Sequence, residues 1–362
     1  MNRFILLVLF SFLFAFGNAA FASDSEHEQK EEKEKFDVKE MIMHHIKDAY
    51  VWHLLDYTDK NGETVIVSVP LPVIIIHNGQ FDIFLSNEFE HGHKTVTRGE
   101  NTYVLYHSKI YLADEHGGVS IKEEEGEHIV TNEMPLDFSI TKNVFSMMIV
   151  SIILLIVFIS IAKSYKKNPG RPKGLQALFE PVIMYVKDEI VYPNLGKKTE
   201  KFLPFLLTIF FFILFNNLMG IIPIFPGNAN VTGNIAVTMT LALFTFFAIN
   251  LNGNKHYWKH TFWMPGVPVF VKPILAIVEL MGMIVKPVAL TIRLFANITA
   301  GHIIILSLVS LIFIYESFVM SPVSVLFVLF MNCLELLVAF LQAYIFTMLS
   351  ALFIGMAVED HH

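Results

Sequence analysis

Residues 286–302 read Lys286-Pro-Val-Ala-Leu-Thr-Ile-Arg293-Leu-Phe-Ala-Asn297-Ile-Thr-Ala-Gly-His302, so an arginine, an amide and a histidine interrupt a run otherwise apolar enough to enter a membrane. A guanidinium cannot shed its proton to escape low dielectric, and insertion scales charge about 2.5–3.5 kcal/mol for one at a helix centre. An arginine retained there meets an anion or lines a wet path, which makes Arg293 the first candidate. On a helix Asn297 lies one turn from Arg293 and shares its face, while His302 sits about 13.5 Å further along and about half a turn round. Glu335 and Gln342, seven apart, share one face of a later segment, with Tyr344 nearby. If the two segments pair antiparallel, Glu335 approaches His302 and the two form a buried, proton-accepting pair.

Each residue also has a plainer reading. Arg293 would serve as a structural ion-pair partner, Asn297 and Gln342 as interhelical hydrogen-bond glue, Glu335 as a satisfied core carboxylate and His302 as a core histidine. Glu279 and Lys286 lie nearer the cytoplasmic end, where a snorkelling lysine is ordinary.

The elements that must hold these residues belong to a membrane protein. The chain has 362 residues, 54% of them hydrophobic and 16% charged, against about 25% charged in a soluble domain. Several interior segments of about 20 residues, the length of a bilayer span, carry no charge. The formal charge of −7 falls mostly on the water-exposed parts and implies no nucleic-acid partner. The single cysteine, Cys333, excludes an internal disulfide and any multi-cysteine metal site, and reads as a buried small apolar residue.

Residues 1–22 have a short basic start, an apolar run and a small-residue cleavage site, the pattern of an export signal. Residues 23–40 are too charged to order themselves. From Tyr50 to Asp137 short β-type runs alternate with Asn61-Gly, Asn78-Gly and His116-Gly-Gly turns, so residues 23–138 comprise a charged leader and a β-rich extension. Its histidines, among them His44, His45, His91, His93, His107, His116 and His128, are irregularly spaced and read as surface residues, with no metal or other cofactor implied.

Residues 144–162 form the first strong span, and the basic cluster from Lys163 to Lys173 then faces the cytoplasm by the positive-inside rule. The β-rich extension must lie on the other side, in the periplasm. Residues 175–191 repeat apolar side chains at 3–4 spacing and should lie along the cytoplasmic interface. Two spans follow, 202–225 and 231–251, joined outside through Pro226-Gly-Asn-Ala-Asn230. Segments 273–314 and 323–357 would be about 63 and 52 Å long as single helices, against a hydrocarbon core of about 30 Å. Strong tilt is expected of both, with a hairpin turn over 315–322 and a kink at Pro287. The fold class is therefore an all-α polytopic membrane protein of about five membrane helices plus an interfacial helix, with an N-terminal β-rich extracytoplasmic extension. The membrane part occupies 139–362.

The motif at 286–302, together with Phe215-Asn216-Asn217-Leu-Met-Gly-Ile-Ile-Pro223 and Leu341-Gln-Ala-Tyr-Ile-Phe346, resembles the signature of subunit a of F-type ATP synthases in both order and spacing. The resemblance covers about residues 140–358 and leaves the β-rich extension unexplained. It implies a non-catalytic stator subunit of the bacterial inner membrane, partnered by a rotating c-ring, the subunit b peripheral stalk and lipid, with H+ as the transported ion and the C-terminus cytoplasmic. It implies that Arg293 faces the c-ring carboxylates, that Asn297, His302, Glu335 and Gln342 line the half-channel open to the outside, and that Glu279 lies toward the cytoplasmic exit. Asn216, Asn217 and Lys286 would give polar support. Many bacterial members carry Glu at the position of His302 and His at that of Glu335, a reciprocal exchange that favours contact between the two.

Two other classes fit the same residues less fully. An autonomous ion transporter or channel would use the buried Arg and His/Glu without a ring, and reconstitution of the chain alone would give coupled flux. An exported binding or sensor module merely anchored by helices would tolerate Arg293→Ala but not loss of residues 23–138.

Overall fold

The computed structural model describes residues 42–43, 46–58, 64–114, 116–124, 127–167, 172–222, 227, 229–315 and 320–359. The expected export signal and charged leader, the His44 and His45 pair, the Asn61-Gly turn, part of the basic cluster (168–171) and the centre of the hairpin turn (316–319) lie outside them.

The extension is built of short antiparallel strands: β1 (Val51–Thr58), β2 (Thr64–Pro70), β3 (Pro72–His77), β4 (Gln80–Leu85), β5 (Val96–Arg98), β6 (Asn101–Tyr106), β7 (Lys109–Leu112), β8 (Ile121–Glu124), β9 (Glu127–Val130) and β10 (Leu136–Asp137). They pair as β1-β2, β10-β3-β4, β5-β6-β7 and β8-β9. The β3-β4 hairpin closes through Asn78 (φ 48°) and Gly79 (φ 79°), the left-handed pair that matches strand twist in a two-residue turn. Alternation does the rest. Val73, Ile75 and Phe84 point inward with Phe89, Val96, Tyr103 and Ile110 to make a small core. Tyr103 donates a hydrogen bond to Asp82 Oδ2 (2.7 Å) within it. Burial, reinforced by that carboxylate, pushes the Tyr103 phenol up to about 12.

The other face of β10-β3-β4 is also apolar. Leu136 stands opposite Ile76, Ile76 opposite Phe81, and Ile74 opposite Ile83. Phe81, Ile83, Leu85 and Leu136 are all exposed, as is Phe138 beside them.

The remainder is helical: α1 (Lys142–Lys167), α2 (Leu175–Tyr185), α3 (Tyr192–Leu195), α4 (Thr199–Ile221), α5 (Ile235–Asn252), α6 (Lys255–Phe262), α7 (Lys272–Tyr315) and α8 (Met320–Val358). A π-helical turn, Val186–Val191, joins α2 to α3 and turns Val186, Ile190 and Val191 into the core. Five helical stretches among the described residues are long and apolar enough to cross a membrane: Lys142–Lys166, Leu175–Ile221, Ile235–Asn252, Lys272–Ile312 and Ser321–Val358. At 1.5 Å per residue α7 is about 66 Å long and α8 about 58 Å, roughly double the hydrocarbon core. Pro287 sits inside α7 without ending it.

α8 is the axis of the helical part, packing on α4, α5 and α7. Its inner face carries small residues, Ala339, Ala343, Ala351 and Gly355, which bring neighbouring backbones close. Leu290, Leu294 and Ile298, spaced four apart on α7, supply the matching apolar stripe. Cys333, expected to be buried, lies instead on the outward face of α8. In a membrane helix the outward face is as apolar as the inward one, so residue type alone did not separate the two.

Candidate functional site

Arg293 and Asn297 lie on the exposed face of α7, and Ala289, Ala296 and Ala300 around them are exposed as well. The buried stripe of Leu290, Leu294 and Ile298 explains this orientation, because it anchors the flank of the same helical turns and leaves the arginine's face outward. Among the described residues no carboxylate comes within ion-pair distance of Arg293. Asn297 shares the arginine's face, as its i,i+4 spacing predicts, and is therefore not brought together with His302.

His302 and Glu335 do meet. The antiparallel pass of α7 against α8 sets His302 Nε2 at 3.8 Å from Glu335 Oε1, with Glu335 only 5% exposed. Two glycines make room: a methyl on Gly301 would sit 2.9 Å from Glu335 Oε1, and one on Gly220 would sit 3.3 Å from the Ala229 carbonyl and 3.6 Å from His302 Nε2.

His302, Glu335 and Gly220 wall a narrow crevice whose other polar lining is Asn216, Asn217, Asn230 and Thr232. Asn217 ties three elements together there: Thr232 Oγ1 donates to its Oδ1 (2.6 Å), and its Nδ2 donates to the Ala339 carbonyl of α8 (3.2 Å). Asn216 Nδ2 donates back to Phe212 within α4 (2.7 Å). Asn216 Oδ1, both amide atoms of Asn230 and Glu335 Oε1 are buried and have no hydrogen-bond partner among the described residues. Buried polar atoms are seldom left so in a folded protein.

Gln342 is buried on α8, seven residues from Glu335 on the same face. Further along that face Ser350 Oγ lies 3.2 Å from Thr245 Oγ1 of α5. A second narrow crevice opens beside them between α5, α7 and α8, lined in part by Asn250, Tyr257, Lys286 and Phe353. Lys286 Nζ sits 5.1 Å from the centre of the Phe353 ring. Glu279, half-buried, faces His260 Nδ1 at 4.0 Å. Arg293 thus falls along α7 between Lys286 at one crevice and His302 at the other, about 10 Å from the first and 13.5 Å from the second along the axis.

Asn230, Thr232, Thr245, Asn250 and Ser350 were not singled out from the sequence. Asn230 and Thr232 belong to a connection with no periodicity, and threonine or serine in a membrane helix usually bonds its own backbone, as Thr291 Oγ1 does to the Pro287 carbonyl (2.9 Å).

Residues 144–355 match the family described as ATP synthase A chain. Residues 41–138 match a separate family described as a domain of unknown function. Among curated relatives, an ATP synthase subunit a of Chloroherpeton thalassium is 48% identical over 234 residues, covering 62% of this chain and 69% of the relative. An ATP synthase subunit a 2 of Chlorobaculum tepidum is 46% identical over 243 residues, covering 62% and 66% respectively. One from Myxococcus xanthus is 44% identical over 234 residues, covering 63% and 75%. The family match takes in every helix that builds the two crevices, and the chain belongs to the ATP synthase A chain family as a multi-pass membrane protein.

Proposed function

We propose that this chain is the proton-conducting stator subunit of an F-type ATP synthase, with Arg293 as the residue that meets each carboxylate of a rotating c-ring. The observation that carries the reading is the setting of Arg293. It is exposed on an apolar helix face, flanked by Ala289, Ala296 and Ala300, and lacks a carboxylate partner among the described residues. A cation so placed is costly without an anion, so its partner comes from another subunit. The small neighbours leave room for a second helix to approach.

A carboxylic acid travelling through lipid keeps its proton because burial disfavours the charged form, whereas beside Arg293 the anion is favoured. The proton leaves into one crevice and the emptied site is refilled from the other. His302 and Glu335, with Asn216, Asn230 and Gln342, serve the half-channel open to the outside; Glu279, near the crevice that holds Lys286, serves the cytoplasmic one. Asn297 extends the polar face of Arg293. The fixed charge between the crevices repels a proton that would hop straight across, so flux is coupled to rotation. Asn217 holds the outer wall, the subunit itself makes and breaks no covalent bond, and no cofactor is required.

In this reading the β-rich domain is periplasmic after removal of residues 1–22, residues 175–191 rest along the cytoplasmic interface, and the C-terminus is cytoplasmic in a bacterial inner membrane. The long α7 and α8 lie strongly tilted against the ring, and subunit b of the peripheral stalk and lipid cover the rest.

The test is Arg293→Ala in the whole complex, followed as ATP-driven acidification of inverted membrane vesicles. Pumping should fall to background while the complex still assembles. Near-normal pumping would refute the stator role.

A further inference from the structure

Among the described residues, the domain of residues 41–138 meets the helical part at the start of α1 and, through Trp52, at the segment that walls the crevice of His302 and Glu335. At the first, Asp48 caps the start of α1: its Oδ1 accepts from Asn143 N (3.0 Å) and its Oδ2 from Thr141 Oγ1 (2.7 Å), while Lys142 N donates to the Ala49 carbonyl (2.8 Å). A carboxylate at a helix N-terminus is favoured by the exposed N–H groups and the helix dipole.

At the second, Trp52 of β1 is 2% exposed and packs in one apolar cluster with Ala229 and Val231, closed by Val69, Phe145, Met147 and Val237. Trp52 meets the Phe145 ring of α1 edge-on at 5.8 Å and stands opposite Val69 in the β1-β2 ladder. Ala229 and Val231 pack with the tryptophan, and Ala229, Asn230 and Thr232 of the same short segment line the crevice. Asn230 lies over Gly233 so closely that any side chain there would overlap it. One short segment is therefore packed against the extension at Ala229 and Val231 and walls the crevice of His302 and Glu335 at Ala229, Asn230 and Thr232.

We propose that this domain is a fixed frame for the outer mouth of the proton path, and that Trp52 is a positioning residue that holds Asn230 and Thr232 against the path. The inference rests on the reading of that crevice as the outer half-channel. Loosening the frame shifts the polar wall, so protons load less readily from the outside, while the step at Arg293 is untouched.

The test uses the intact complex in proteoliposomes at fixed membrane potential, with ATP synthesis followed against the pH of the side that supplies protons. Trp52→Ala should raise the half-saturating proton concentration about threefold or more with a maximal rate within about twofold of the parent, a loss of productive loading without loss of the later step. Trp52→Phe, which keeps an aromatic ring against Phe145, should restore most of it. If Trp52→Ala fails to assemble, Val69→Ala removes one wall of the same cluster more gently and is read the same way. A half-saturation point that stays put in the assembled variant, whether or not the maximal rate falls, makes the domain a stability element only and overturns the proposal. Loss of pumping in Arg293→Ala alongside that outcome would leave the stator reading standing, so the two failures are distinguishable.

Discussion

A methyl group on Gly301 would lie 2.9 Å from Glu335 Oε1 and 3.4 Å from the carboxyl carbon, so the bare Cα on α7 is what admits the α8 carboxylate beside His302. Elsewhere in a helix glycine is a liability of about 1 kcal/mol relative to alanine. Here the space is worth more than the propensity.

Gly301→Ala should therefore assemble and yet pump poorly, by about tenfold or more, because the helix gains and the carboxylate is displaced. Pairing it with Glu335→Asp, one methylene shorter, should recover part of the rate. Proton pumping in vesicles, normalised to assembled complex, reads both. A single variant that pumps like the parent would show that the close fit has no bearing on transport.

Exchanging His302 and Glu335 keeps one imidazole and one carboxylate on facing helices, 3.8 Å apart at their nearest in the parent. The double variant should retain more pumping than either His302→Glu or Glu335→His, since each single change sets two like groups together and forfeits the pair. A double variant no better than the worse single would mean that the two side chains act independently.

Gly355 presses on the α3 turn so closely that a methyl there would overlap the Asn194 carbonyl. Gly355→Ala should cost about 1–3 kcal/mol through overpacking and lower the amount of assembled chain in membranes. Met356→Ala, on the exposed neighbour, is the control and should change little. Equal amounts of both variants would contradict this packing.

Much of this arrangement is legible in the primary structure, for reasons that differ by element. A membrane span announces itself by length and composition, so the run at 144–162 foretold α1, although the helix extends to Lys142–Lys167 because polar ends prolong it beyond the apolar run. The approach of Glu335 to His302 followed from helical spacing and an antiparallel pass. The face of Arg293 followed from i,i+4 geometry only as far as Asn297; that this face points outward depends on Leu290, Leu294 and Ile298 packing inward. Asn230 was invisible as a wall residue, since its position is set by contacts remote in sequence, Trp52 on one side of its segment and Asn217 on the other. Cys333 was misread because an apolar solvent removes the inside-outside contrast that burial arguments use.

The uncharged flank formed by Phe81, Ile83, Leu85, Leu136 and Phe138 governs how the strands can be handled apart from the helices. Severed and dissolved in buffer, they would offer each other a greasy panel, and copies would clump. Detergent, lipid or the parent helices must accompany that fragment, so its biochemistry is best pursued without the scissors.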